Sequence, residues 1–211
     1  MPCKDGRPRP VTLSAQEAQA ELEIAAASLE ARAKLLRVHS KRITLEEWRA
    51  LPPHLQDFVP HWYRELLSRL SLYGVALECH EKPDRFVCGF TLIGPADYRA
   101  VMKRNSVYSP LQTHGFVPIG DDPYGDGNLW VVEMPATTAS IVYQLVLSEW
   151  DGSKPTRENG LKFASSRLSL LLCSMGISEA SYHVSPSGVT SVMWHEDREI
   201  PRSQISNPEQ E

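Results

Sequence analysis

The segment Gly115 to Glu133, GFVPIGDDPYGDGNLWVVE, constrains this chain more than any other. Two apolar runs, Phe116-Val117-Pro118-Ile119 and Leu129-Trp130-Val131-Val132, flank a stretch crowded with Asp, Gly and Asn. Gly125, Gly127 and Asn128 tolerate positive φ, and Asp side chains hydrogen-bond their own turn backbone. The pattern predicts a β-hairpin with carboxylates Asp121, Asp122 and Asp126 at a solvated tip. A chain built around such a hairpin needs further strands on either side and helices to cover it.

The rest of the sequence supplies both. Residues 1–12 are Pro-rich and charged, and are expected to form a flexible tail. Residues 13–40 are read as an N-terminal helix opened by the capping box Ser14 and Glu17. Its apolar stripe, Ala18, Leu22, Ala25, Leu29 and Leu36, serves either as a docking face on the domain's own core or as a dimerisation or partner-binding arm. A second box, Thr44 with Glu47, starts a short helix that Pro52-Pro53 stops. Pro60 opens another helix through Trp62, Tyr63, Leu66, Leu67 and Leu70, ended by Gly74.

Strands are expected at Val75 to Leu77 and Phe86 to Ile93, then a helix from Pro95 carrying Tyr98, Val101 and Met102. After the hairpin come a strand over Ile141 to Leu147, a polar loop from Lys154 to Asn159 and a helix Arg167 to Cys173 capped by Ser165 or Ser166. A last hairpin is expected over Ala180 to Trp194, with a polar tail over 201–211. Helices first and then strands with interspersed helices predict one α+β domain over 41–200 with a mainly antiparallel sheet. No internal repeat is present in the sequence.

Composition narrows the function classes. At 211 residues, with 42% hydrophobic and 23% charged, the chain can bury one substantial core. The balance of 22 Lys and Arg against 26 Asp and Glu gives a net charge of -4, which argues against general nucleic-acid binding. Cys3, Cys79, Cys88 and Cys173 are too few for a disulfide scaffold; Cys79 and Cys88 are expected as reduced thiols on neighbouring strands. No secretory apolar region follows Met1 and no apolar run is long enough to span a bilayer, so a cytoplasmic protein without membrane contact is expected.

Catalytic and ligand motifs are nearly absent from the sequence. Counting Asp122 as the first position of a calcium loop places Asp126 fifth, Gly127 sixth and Glu133 twelfth, but Tyr124 and Trp130 occupy ligand positions and the flanks read as strands. The seven histidines form no metal motif, His195-Glu196 lacks a second His, and no serine-nucleophile elbow or phosphate-cradling glycine loop occurs. Adjacent solvated aspartates such as Asp121 and Asp122 are expected to stay ionised. No cofactor and no catalytic residue is assigned.

With the elements in this order, the chain resembles the SUKH superfamily of cell-wall-assembly-regulator-like proteins, in its bacterial immunity-protein branch. The matching residues are Leu51-Pro52, Pro60-His61-Trp62-Tyr63, Leu72-Tyr73-Gly74, Phe116 to Gly120, Gly125-Asp126-Gly127-Asn128, Leu129 to Val132, Val142-Tyr143 and Ser165-Ser166 with Leu168 to Leu172. Glu133 stands where an aspartate is common, and the helix over 13–40 precedes the usual core. The resemblance implies an α+β fold without a shared catalytic centre and a non-catalytic role: an immunity protein that neutralises a bacterial toxin, a nuclease for example, by direct binding. A basic toxin domain would then face Asp121, Asp122, Tyr124 and Asp126. The alternative is an intracellular scaffold or regulatory protein that assembles, as a homo-oligomer for example, through the N-terminal helix.

Overall fold

Local capping chemistry sets the first elements. The computed structural model describes residues 13–79, 89–102, 108–122 and 128–177. Helix α1 (Ala15–Leu35) begins at Ser14, whose hydroxyl accepts the Glu17 N–H at 3.2 Å while the Glu17 carboxylate accepts the Ser14 N–H at 2.8 Å. Thr44 and Glu47 form the same reciprocal pair at the start of α2 (Leu45–Arg49). Pro52 and Pro53 end α2 but also open α3 (Pro53–Phe58), which the sequence reading did not anticipate: proline in a first turn lacks only an N–H that has no helical acceptor. Pro60 is the N-cap of α4 (His61–Arg69).

Then follow β1 (Ala76–Cys79), β2 (Gly89–Leu92), α5 (Pro95–Met102) and α6 (Tyr108–Thr113). The hairpin strands are β3 (Phe116–Asp121) and β4 (Leu129–Glu133), and β5 (Val142–Leu145) leads through a 3-10 turn, Leu147–Glu149, towards β6 (Leu161–Ser165). The described residues end with α7 (Leu168–Cys173) and β7 (Met175–Ile177). The sequence reading assigned no element to α6, β6 or β7. It capped α7 with a serine, whereas Arg167 is the N-cap and makes no capping side-chain bond.

The seven strands of the described residues form one antiparallel sheet in the order β6-β5-β4-β3-β2-β1-β7. Strands β1 to β6 run as a meander, and β7 returns to pair with β1, Leu77 opposite Ile177. The class is α+β. Consecutive residues of β4 point to opposite faces, yet Leu129, Trp130, Val131 and Val132 are all buried, so the middle of the sheet is covered on both sides. That explains why the hairpin reads as continuous apolar runs without alternation.

α1 packs on α7 and β7. Ala18, Leu22, Ala25 and Leu29 of the expected stripe are buried, joined by Ala26 and Ala33; Leu36 lies past the helix end and is 42% exposed. Burying Leu22 and Leu29 contributes about 2 kcal/mol each. The stripe is therefore spent on the chain's own core and is not free to act as an arm. Among the described residues no helix is long and apolar enough to cross a membrane. The flexible tails (1–12 and 201–211), the Ala180–Trp194 hairpin and the Cys79–Cys88 relation lie outside the described residues and side chains.

Candidate functional site

The base of the β3–β4 hairpin is built by aromatic side chains reaching in from the helices. Tyr63 of α4 is fully buried, its hydroxyl 2.6 Å from the Ile119 carbonyl and 2.9 Å from that of Ile93. Tyr98 of α5, equally buried, donates to the Pro118 carbonyl. The acceptors lie where the ladder is imperfect: Pro118 has no N–H, and the β3–β4 register shifts between Pro118 and Gly120. Desolvation holds both phenols well above their ordinary pKa, so they remain neutral donors.

Two glycines make room for rings. A Cβ at Gly120 would lie 2.1 Å from the Phe90 ring, and one at Gly94 would lie 2.6 Å from the Tyr73 ring. Phe90 meets Trp130 edge to face at 5.4 Å, and the Trp130 indole N–H donates to the Gly89 carbonyl at 3.1 Å. Trp130 is thus a core residue, in keeping with the strand flanks that argued against a calcium loop.

The solvated acidic tip is corrected at two positions. Asp121 and Asp122 are each only 6% exposed. Asp121 is the last residue of β3, paired with Thr91 on one side and Leu129 on the other. Its Oδ1 accepts the Asp122 N–H at 2.7 Å, and that N–H also lies 3.1 Å from the Asn128 carbonyl. Burial pushes the Asp121 carboxyl up to about 7; the Asp122 N–H opposes this, and the nearby Asp97 and Asp122 charges add to it. Asp97 itself accepts the Gly94 N–H at 2.7 Å and closes the start of α5. These carboxylates shape the root of the loop. Tyr124 and Asp126, the other two candidates, lie outside the described residues.

The register places a second feature beside this root. Asp121, Leu129, Leu145 and Leu161 form one cross-strand row, so the β3–β4 and β5–β6 connections leave the same end of the sheet. The 146–160 connection is held by its own polar groups. Asn159 donates to Asp151 Oδ1 at 2.8 Å and to Ser153 Oγ at 2.9 Å, and the Trp150 indole donates to the Ser153 carbonyl at 2.7 Å. Hydrogen bonds from Ser153 and then Asn159 hold the exposed Asp151 carboxyl below its ordinary pKa. Gly160 turns the chain at φ +73°, where a Cβ would sit 2.8 Å from the Val146 carbonyl.

Edge strand β6 carries what the sequence reading missed. Phe163 pairs with Tyr143 and is 62% exposed, in a row that begins with fully buried Val131. Its neighbour Lys162 pairs with Glu149 at 2.5 Å. The signal was the alternation in Leu161-Lys162-Phe163-Ala164, a strand pattern that shows a face without showing whether anything covers it.

Elsewhere, a cleft of about 160 Å³ between α1 and α4 is lined by Gln19, Glu23, Ala27, Leu66, Arg69 and Leu70, smaller than the roughly 300–1,000 Å³ of sites for drug-sized ligands. Among the described residues no three His, Cys, Asp or Glu side chains are grouped to hold a metal ion. No family model, no curated protein and no solved structure matches this chain.

Proposed function

We propose that this chain is a non-catalytic protein-binding module of the SUKH immunity type, which neutralises a toxin by covering it. The observation that carries the reading is the common end of the sheet. There Asp121 and Asp122, at the root of the Asp-rich segment, share an end of the sheet with the ordered 146–160 connection, and Phe163 stands exposed on β6 two residues in from Leu161 of that end row. A preorganised loop next to an exposed aromatic anchor suits protein recognition, because little conformational entropy is lost on binding. The acidic balance of the chain favours a partner with a basic face. Support for the family comes from element order: Leu51-Pro52 after α2, the apolar-Pro-apolar-Gly run in β3, Val142-Tyr143 in β5 and the Leu-rich α7.

Immunity proteins of this kind are commonly encoded beside their toxin, which supplies the test. The product of the adjacent gene is expressed in bacteria alone and together with this chain. Growth arrest relieved by co-expression, with a stable complex by calorimetry, is the expected result. A harmless neighbour, or toxicity unrelieved with no complex formed, sinks the reading. Within a complex, Phe163→Ala should raise Kd by about tenfold or more.

A further inference from the structure

Strand β6 ends the strand order, with no neighbour on its outer side among the described residues. The register decides which backbone groups face that side. The Val146 N–H bonds the Gly160 carbonyl at 2.9 Å, and the pairing then steps through Leu145–Leu161 and Gln144–Lys162 to Tyr143–Phe163. Hydrogen-bonded and non-bonded pairs alternate along an antiparallel ladder, so Lys162 turns its N–H and C=O to β5 while Leu161 and Phe163 turn theirs outward. The Leu161 N–H shows the direction: it lies 2.9 Å from the carbonyl of Thr156 in the 146–160 connection. The Phe163 N–H and C=O meet no partner on that side among the described residues, and Phe163 itself is 62% exposed.

We propose that an extended segment of the protein partner adds to β6 as a further strand, bonding the Phe163 N–H and C=O and laying an apolar side chain beside the Phe163 ring. This rests on the toxin-binding reading and names the element of the partner that is recognised. An unpaired donor and acceptor on one residue are met together by a strand backbone, which offers both in return. The occupant is short and foreign. Thr156, bridged to Asn159 and Gly160, fills the place beside Leu161, and the β5–β6 register shifts between Val142 and Tyr143, so the open stretch centres on Phe163. A second copy paired antiparallel about Phe163 would bring its Ser165 against Leu161, where Thr156 already stands. Charge does not select the segment, because Lys162 is paired with Glu149. The Phe163 ring does, favouring an aromatic or β-branched residue directly opposite.

Amide hydrogen exchange, followed by NMR on the chain alone and in complex with the product of the adjacent gene, tests the proposal. In the free chain the Lys162 amide should be protected by the ladder while the Phe163 amide exchanges fast. In the complex the Phe163 amide should slow by about 100-fold or more. Phe163→Pro removes an N–H that the ladder does not use, so it should still melt as a folded protein. It should bind about fivefold more weakly than Phe163→Ala, which keeps the N–H. A complex in which the Phe163 amide exchanges as fast as in the free chain overturns this proposal and leaves the toxin-binding reading standing. So does a folded Phe163→Pro that binds as tightly as Phe163→Ala, or a Phe163 amide protected in the free chain by another segment or a second copy. Absence of any complex overturns both.

Discussion

Arg167 Nη2 lies 2.8 Å from Glu21 Oε1, joining α1 to the residue that opens α7 across 146 positions of sequence. Arg167 Nε also reaches Glu21 Oε2, and the Ser169 hydroxyl donates to the same oxygen at 2.5 Å. These bonds, Arg167 first and then Ser169, hold the Glu21 carboxyl down at about 2. A depressed carboxylate stabilises the fold above its unfolded pKa and loses that contribution as pH falls through the folded value. Glu21 is about a third exposed, so solvent screening discounts the effect to about 1 kcal/mol. Glu21→Gln should therefore lower stability by that amount at pH 7 in urea unfolding, with the gap from the native chain closing between pH 4.5 and about 2. A gap unchanged by acid would contradict the ion pair.

Asp121 carries the opposite sign. Its carboxyl is raised to about 7 from an ordinary 3.8, so between these values the folded state holds a proton that the unfolded state has released. Stability should fall as pH rises through that window, by at most about 1.4 kcal/mol per unit, and level off above it. An asparagine at this position keeps an Oδ1 acceptor for the Asp122 N–H without the charge. Asp121→Asn should be more stable than the native chain at pH 8 and equal to it near pH 4. Melting curves across that range decide; equal slopes for both proteins would refute the buried charge.

The two buried phenols should be costly to truncate. Tyr63→Phe and Tyr98→Phe keep the ring but remove a buried hydroxyl donor from the carbonyl of Ile119, which retains the Ile93 N–H, or of Pro118. Each should destabilise by about 1–3 kcal/mol in chemical denaturation. If either is neutral, the hydroxyl bond is dispensable.

Gly120→Ala presses a methyl into the Phe90 ring, which is itself fixed edge to face against Trp130. A loss of about 1–3 kcal/mol is expected, as for other overpacked cores. Phe90→Leu should be less harmful when combined with Gly120→Ala than in the native chain. Additive losses in the double-mutant cycle would place the strain elsewhere.

What the sequence disclosed was what is local. Ser14 with Glu17 and Thr44 with Glu47 announced two helices because each box needs only residues three apart. The hairpin strands were legible from their apolar runs. The short elements α3, α6, β6 and β7 span 3 to 6 residues and hold too little periodicity to stand out. At the site, the burial and the raised pKa of Asp121 were invisible because the strand partner Thr91 of β2 and the charge of Asp97 near the start of α5 lie more than 20 residues away in sequence. Phe163 was overlooked for the converse reason: alternation marks a strand face, and only the strand order shows that β6 has no neighbour on its far side among the described residues.

The contact of α1 with α7 and β7 also sets a schedule for synthesis. On the ribosome the inner face of α1 emerges early and lacks its packing on α7 until that helix, beginning at Leu168, has been made. At ordinary elongation rates that interval is on the order of ten seconds. During it Leu22 and Leu29 are open to chaperones, or to a neighbouring nascent chain. A version of this protein ending before Leu168 should accordingly be retained by chaperones and cleared, even though most of its sheet has already been translated.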